Sequence, residues 1–285
     1  MYDQILLATD GSECSERAAA AAIAVASRFD AHLHAIYVLD AREIPAGIEA
    51  DVTELDQGIG RSALDDVEAQ AATAGVSVNT ALVESHEAIH ESILEEAEER
   101  NIDLLVIGSH GRTGIGRILL GSVAERTIRH ATMPVLTIRA EPLAGEVDRI
   151  LVPTDGSAGA IAAADHAVDL ARATDAAIHI IHVVDLTRMG GDITAGPVYA
   201  EFEDIGREAV DDLIDRAKSA GVRSVQGNVL AGRPGRAIVD YAEDRDIDLI
   251  VLGTHGRSGL DRILLGSVAE KVVRIAEEPV MTVRG

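Results

Sequence analysis

The hydrophobic positions alternate between two spacings along the chain. Gln4–Thr9 is a short apolar run that predicts a strand. Ser12 is placed to cap an alanine-rich helix that follows to about Phe29. His32–Leu39 predicts a second strand, and residues 40–58, acidic and broken by Pro45, Gly47 and Gly58, predict an irregular loop. A helix is expected from there to about Thr73, with Gly75 able to close it in the left-handed conformation. Val76–Val83 predicts strand three, and Ala88–Arg100 is amphipathic, with Ile89, Ile93, Leu94 and Ala97 at helical spacing. Ile102–Ile107 is almost continuously apolar, as a strand covered on both faces must be. A glycine-rich loop, a helix from Ser122 and a last strand, Pro134–Ile138, complete the series. Strands interleaved with helices predict a parallel sheet with helices on both faces.

The series then repeats. Leu7-Ala8-Thr9-Asp10-Gly11-Ser12 returns as Val152-Pro153-Thr154-Asp155-Gly156-Ser157, 145 positions later. Residues 102–138 and 247–283 are identical at 23 of 37 positions. A period this long means duplicated domains rather than a solenoid of small repeats. The division expected is 1–140 and 148–285, joined by a short polar linker containing Pro142 and Gly145. The length of 285 residues fits two domains.

Composition narrows the chemistry. The formal charge is −23, and Trp is absent with only 2 Phe and 4 Tyr. Such a surface repels nucleic acid and anionic membranes, and it lacks aromatic platforms for bases. Lys218 and Lys271 are the only lysines. A heavy acid excess with few lysines resembles proteins that work in high salt. Cys14 is the single cysteine, which rules out an intrachain disulfide and a cysteine-based zinc site. The longest apolar run, Ala18–Ala26, is too short to span a bilayer. The start Met1–Gln4 lacks the basic region of a signal peptide, so a cytoplasmic location is expected.

The strongest chemical signal follows the fourth strand of each half. Gly108, Gly111, Gly121 and Ser122 have the spacing Gly-x-x-Gly, nine residues, Gly-Ser, as do Gly253, Gly256, Gly266 and Ser267. Ser122 with Glu125, and Ser267 with Glu270, have capping-box spacing, which puts Gly-Ser at a helix start. Helix N-termini offer free N–H groups to phosphate, and glycines let the backbone approach it. Glycines also simply make turns, but two copies at one spacing favour a binding loop. Arg112, Arg117, Arg126 and Arg129 surround the first loop, and Arg257, Arg262, Lys271 and Arg274 the second. In residues 1–140, which hold 23 acids and 10 Arg, this is a cationic island suited to polyphosphate. Helix-surface pairing, such as Glu125 with Arg129, accounts for part of it.

The glycine spacing, the strand-one Asp and the Gly-Ser-His-Gly and Leu-Leu-Gly-Ser phrases resemble the universal stress protein family, in its ATP-binding branch. The resemblance covers almost the whole chain as two tandem domains. It implies a Rossmann-like five-stranded parallel sheet in the order 3-2-1-4-5 in each domain, with nucleotide across the carboxyl ends of the strands. By matching positions, it implies Ala8, Thr9 and Asp10 against adenosine, Val38 near adenine, and Gly108, His110, Gly111, Gly121, Ser122 and Val123 around ribose and phosphates. The second set is Pro153, Thr154, Asp155, Val183, Gly253, His255, Gly256, Gly266, Ser267 and Val268. Ala8 stands where the second half has Pro153, and Glu87-Ala88-Ile89 where it has Gly232-Arg233-Pro234.

The function implied is a stress-response regulator binding ATP, AMP or ADP, with Mg²⁺ held through the phosphates. The partner implied is adenine nucleotide. The halves are expected to pair as a pseudo-dimer through their last strands, with a further homodimer left open. Asp10 and Asp155 are read as structural or adenosine-binding acids rather than catalysts, and no residue as a metal ligand. An ATP pyrophosphatase-type enzyme would carry a Ser-Gly-Gly-x-Asp-Ser loop, which Thr9-Asp10-Gly11-Ser12 is not. No P-loop lysine follows either motif, so at most slow hydrolysis is expected. An interaction module with vestigial sites would have lost the glycines.

Overall fold

The computed structural model describes residues 1–41, 49–111, 120–140, 143, 147–185, 197–254 and 265–285. Two compact units divide the chain, Tyr2–Gly145 and Glu146–Gly285. In the first, β1 (Gln4–Thr9), α1 (Glu13–Phe29), β2 (His32–Asp40), α2 (Glu49–Ala74), β3 (Val78–Ser85), α3 (Ile89–Glu99), β4 (Leu104–Gly108), α4 (Ser122–His130) and β5 (Val135–Ile138) follow in turn. All strand pairs in it are parallel, in the order β3-β2-β1-β4-β5. The second unit contains β6 (Arg149–Pro153), α5 (Ala158–Thr174), β7 (Ala177–Asp185), α6 (Pro197–Ser219), β8 (Val225–Gly232), α7 (Pro234–Asp244), β9 (Leu249–Gly253), α8 (Ser267–Ile275) and β10 (Val280–Val283). Its order, β8-β7-β6-β9-β10, is the same.

Burial explains the order. All five residues of β4 are buried, as are Ile5, Leu6, Leu7 and Ala8 of β1, so the central strands are covered on both faces. Right-handed crossovers then put α1 and α2 on one face and α3 and α4 on the other, and these are the helix pairs in contact. The crossover from β1 leaves toward β2, while the one from β3 returns past β1 to β4. The carboxyl ends of β1 and β4 therefore flank a cleft where the winding reverses.

The first helix of each unit starts as its sequence predicts. Ser12 Oγ accepts from Ser15 N–H, and Ser157 Oγ from Ala160 N–H. The alanine face of α1 is buried from Ala18 to Ala26, and small side chains let it lie close on the sheet. The expectation for residues 40–58 is corrected: helix α2 begins at Glu49. Tertiary contacts outweigh the glycines there. Tyr37 Oη donates to Asp56 Oδ1 at 2.7 Å, anchoring an early turn of α2 to β2. Gly60 faces the Tyr37 ring, where a Cβ would lie 2.7 Å from Cδ1. A glycine costs about 1 kcal/mol in a helix, and here it permits the close approach that secures the helix.

Candidate functional site

Each first strand ends in a hydrogen-bonded turn. Thr9 is buried, and its Oγ1 accepts from Gly11 N–H at 3.3 Å, while Asp10 Oδ1 accepts from Ser12 N–H at 3.0 Å. In the second unit Thr154 Oγ1 accepts from Gly156 N–H at 3.1 Å and Asp155 Oδ1 from Ser157 N–H at 3.0 Å. Gly11 and Gly156 sit at φ +73° and +76°, where a side chain would be strained. The threonines thus hold the turn. The aspartates use one oxygen on the turn and lie at the carboxyl edge, in the cleft position.

The loop after β4 comes back to meet Asp10. Ser109 N–H donates to Ile138 O at 2.7 Å, extending the β4–β5 ladder, and Ser109 O accepts from Gly121 N–H at 2.7 Å. Gly121 is thereby fastened to the end of β4 and α4 begins beside it. Gly111 lies directly against the Asp10 carboxylate, with no room for a Cβ. A Cβ on Gly121 would be 3.2 Å from His110 Cα and 3.3 Å from Ser109 O. Asp10, His110, Gly111, Gly121 and the N-terminus of α4 are therefore gathered at one place. In the second unit Gly266 N–H donates to Thr254 O at 2.7 Å, the same closure. Arg112, His255, Gly256 and Arg257, together with Arg117 and Arg262, lie outside the described residues.

Other expected residues have different surroundings. Gly108 is buried under the first turn of α1, where a Cβ would be 3.1 Å from Cys14 Sγ and 3.2 Å from Ser15 N. Gly253 is tighter still, with Gly159 C at 2.5 Å. These two glycines serve helix-to-strand packing. Ala8 is buried within β1; Pro153, Val38 and Val183 are half-buried toward the carboxyl ends of their strands. Ser122 and Ser267 are exposed at the helix starts, followed by Val123, half-buried, and Val268, exposed.

The capping-box expectation is corrected. Gly121 and Gly266 are the N-caps, so Ser122 and Ser267 are already helical, and no side chain caps either helix. Glu125 and Glu270 turn instead toward Arg129 at 2.6 Å and Arg274 at 2.5 Å. The i,i+4 ion pair wins the carboxylate that a capping box would need. Those pairs also remove Arg129 and Arg274 from the cationic island, leaving Arg126 and Lys271 of it among the described residues. The Gly-Ser turns need no left-handed backbone: Gly121 is at φ −65° and Gly266 at −59°.

His110 Nδ1 lies 3.0 Å from Ser109 Oγ. Burial lowers its pKa first, the Arg139 and Arg17 charges lower it further, and Asp10 opposes them. Burial also lowers His34, His166 and His179. A lowered folded pKa gives stability that is complete above the unfolded value of about 6.5 and is lost as pH falls through the folded one. The expected result of an NMR titration is that all four imidazoles titrate below 6.5 and that unfolding becomes easier across that interval. A His110 midpoint at or above 6.5 would contradict its placement among these cations.

His179 and His182, like His34, serve packing. His34 Nε2 lies 2.8 Å from Gln4 Oε1, His179 Nδ1 3.1 Å from Tyr241 Oη, and His182 Nδ1 2.9 Å from Thr154 O. Among the described residues no group of three or more His, Cys, Asp or Glu is placed to hold a metal ion. No helix among them is long and apolar enough to cross a membrane.

A doubly wound parallel sheet of five strands, built twice, defines the class: a tandem Rossmann-like protein. The sequence profile of the universal stress protein family matches residues 1–139 and again 146–284, and the chain belongs to that family. A universal stress protein of Methanocaldococcus jannaschii is 42% identical over 139 residues, 48% of this chain and 81% of that protein. One from Mycolicibacterium smegmatis is 29% identical over 98% of this chain and 96% of its own length, so it shares the tandem form. The crystal structure of a universal stress protein from Archaeoglobus fulgidus covers 99% of this chain and 96% of its own at a TM-score of 0.74 and 23% identity, which shows the fold.

Proposed function

We propose that the chain is an ATP-binding stress-response regulator with one adenine-nucleotide site per unit. The observation that carries this reading is the convergence of Asp10, Gly111 and Gly121 beside the start of α4. The glycines let the loop close against Asp10 and the start of α4, since a Cβ at Gly111 would meet the Asp10 carboxylate and one at Gly121 the backbone of Ser109 and His110, and the helix start supplies N–H donors and a partial positive charge for phosphate. Asp10 stands at the carboxyl edge beside Gly111, and a carboxylate there suits the hydroxyl and amino donors of ribose and base. The second unit repeats the turn at Asp155 and the closure at Gly266. Mg²⁺ would enter with the phosphates, whose oxygens suit it. The role is binding and signalling: the acids at the strand ends are engaged in turns, and neither is poised as a general base.

Calorimetry with ATP and Mg²⁺ tests the reading. Heat of binding with up to two sites per chain is expected, and adenine nucleotide is expected among small molecules released from the purified protein. No heat at millimolar ATP would overturn it.

A further inference from the structure

Each unit ends its last strand with an arginine at the edge where the cleft lies. Arg139 follows β5 and Arg284 follows β10, 145 positions apart like the glycines. The β4–β5 register pairs Gly108 with Ile138, so Arg139 emerges alongside Ser109 and His110. Its backbone is held there: Ser109 N–H donates to Ile138 O, and Cys14 Sγ lies 3.7 Å from Arg139 O. Thr254 N–H donates to Val283 O at 3.0 Å and places Arg284 in the same way.

Arg139 is half-exposed, and its guanidinium has no carboxylate partner among the described residues. Elsewhere in this acidic chain arginines are commonly paired, as Arg129 is with Glu125, Arg216 with Asp165 and Arg274 with Glu270. Arg17 of α1 is a second cation whose charge lowers the His110 pKa, and its Nη1 donates back to Glu13 O. Arg17 pairs with the exposed Glu13 at 3.5 Å, and the second unit has Ala162 at its position, so the cation present in both units is the strand-end arginine. The field of Arg139 on His110 agrees with a charge facing the glycine loop.

We propose that Arg139, and Arg284 in the second unit, contact the phosphates and set the preference for charged nucleotides over the bare nucleoside. This rests on the nucleotide site proposed above. A planar guanidinium reaches phosphate oxygens with two parallel N–H donors, which the neutral backbone cradle cannot replace. Neither arginine carries a signal in the sequence, because each lies one residue beyond its strand, outside any glycine or helix pattern.

The test compares ATP, AMP and adenosine by calorimetry on the full chain and on Arg139→Gln, Arg284→Gln, the double variant and Arg139→Lys. The double variant is expected to bind ATP about tenfold more weakly or worse, AMP less affected, and adenosine as the parent does. Arg139→Lys should restore much of the loss at the first site. Thermal melts check that each variant is folded. An unchanged ratio of ATP to adenosine affinity in a folded double variant would overturn the proposal and leave the nucleotide site standing. A parent chain that binds none of the three ligands would overturn both.

Discussion

Gly253→Ala is expected to destabilise the second unit strongly, although it adds a single methyl group. The new Cβ would lie 2.5 Å from Gly159 C, 2.6 Å from Gly159 O and 3.0 Å from Ala160 N. All three are backbone atoms in the first turn of α5, so no side chain can swing away. Helix α5 must lift from the end of β9, or the strand must shift. Overpacking of this kind costs about 1–3 kcal/mol and sometimes more, and backbone contact on one side puts this case at the upper end. For a domain of this size that is a fall in Tm of roughly 5–10 °C. Gly108→Ala is the internal control. Its Cβ would meet Cys14 and Ser15 of α1 at 3.1–3.2 Å, which a shift of a few tenths of an ångström relieves. Its cost should be near the low end. Calorimetric melts of both variants measure the difference, and a Gly253→Ala protein that melts with the parent would refute the packing account. These two glycines open the phosphate-type motif, yet their substitution is expected to act through stability.

Gly121→Val and Gly266→Val are expected to behave in the opposite way: each removes one nucleotide site from a chain that remains folded, and together they remove both. Valine tolerates the backbone conformation, since φ is −65° at Gly121 and −59° at Gly266. The obstruction is spatial. At Gly121 the Cβ alone would be 3.2 Å from His110 Cα and 3.3 Å from Ser109 O, and a branched side chain there must push the loop away from the start of α4. The fastening bond from Gly121 N–H to Ser109 O would lengthen, at a stability cost of about 1–2 kcal/mol. Stoichiometry of ATP binding for the two single variants and the double variant, with circular dichroism for the fold, measures this. A double variant that binds ATP as the parent does would show these turns to be helix starts and nothing more.

Much of this architecture was legible in one sequence because it is local or repeated. Apolar spacing located the strands, Ser12 and Ser157 marked the helix starts, and the 145-residue period marked the duplication. A strand-end aspartate followed by glycine already specifies its turn, because the bonds that close it span only two residues. These features depend on neighbours in the chain, and neighbours are what a sequence displays.

Tertiary structure decided the matters in which several partners compete for one group. Ser122 reads as the cap of α4, but the assembled β4 end offers Ser109 O to Gly121 N–H, and Gly121 takes the N-cap position. Residues 49–58 read as loop on composition, yet Tyr37, distant in sequence, holds Asp56 and makes the helix worth its glycines. The motif glycines look equivalent in sequence, but Gly108 and Gly253 face the first helix of their unit, while Gly111 faces the Asp10 carboxylate and Gly121 the backbone of Ser109 and His110. Only the β4–β5 register carries Arg139 to the side of His110. The physical reason is the same in each case: the outcome depends on distances between residues far apart in the chain, and those distances exist only after the sheet has assembled.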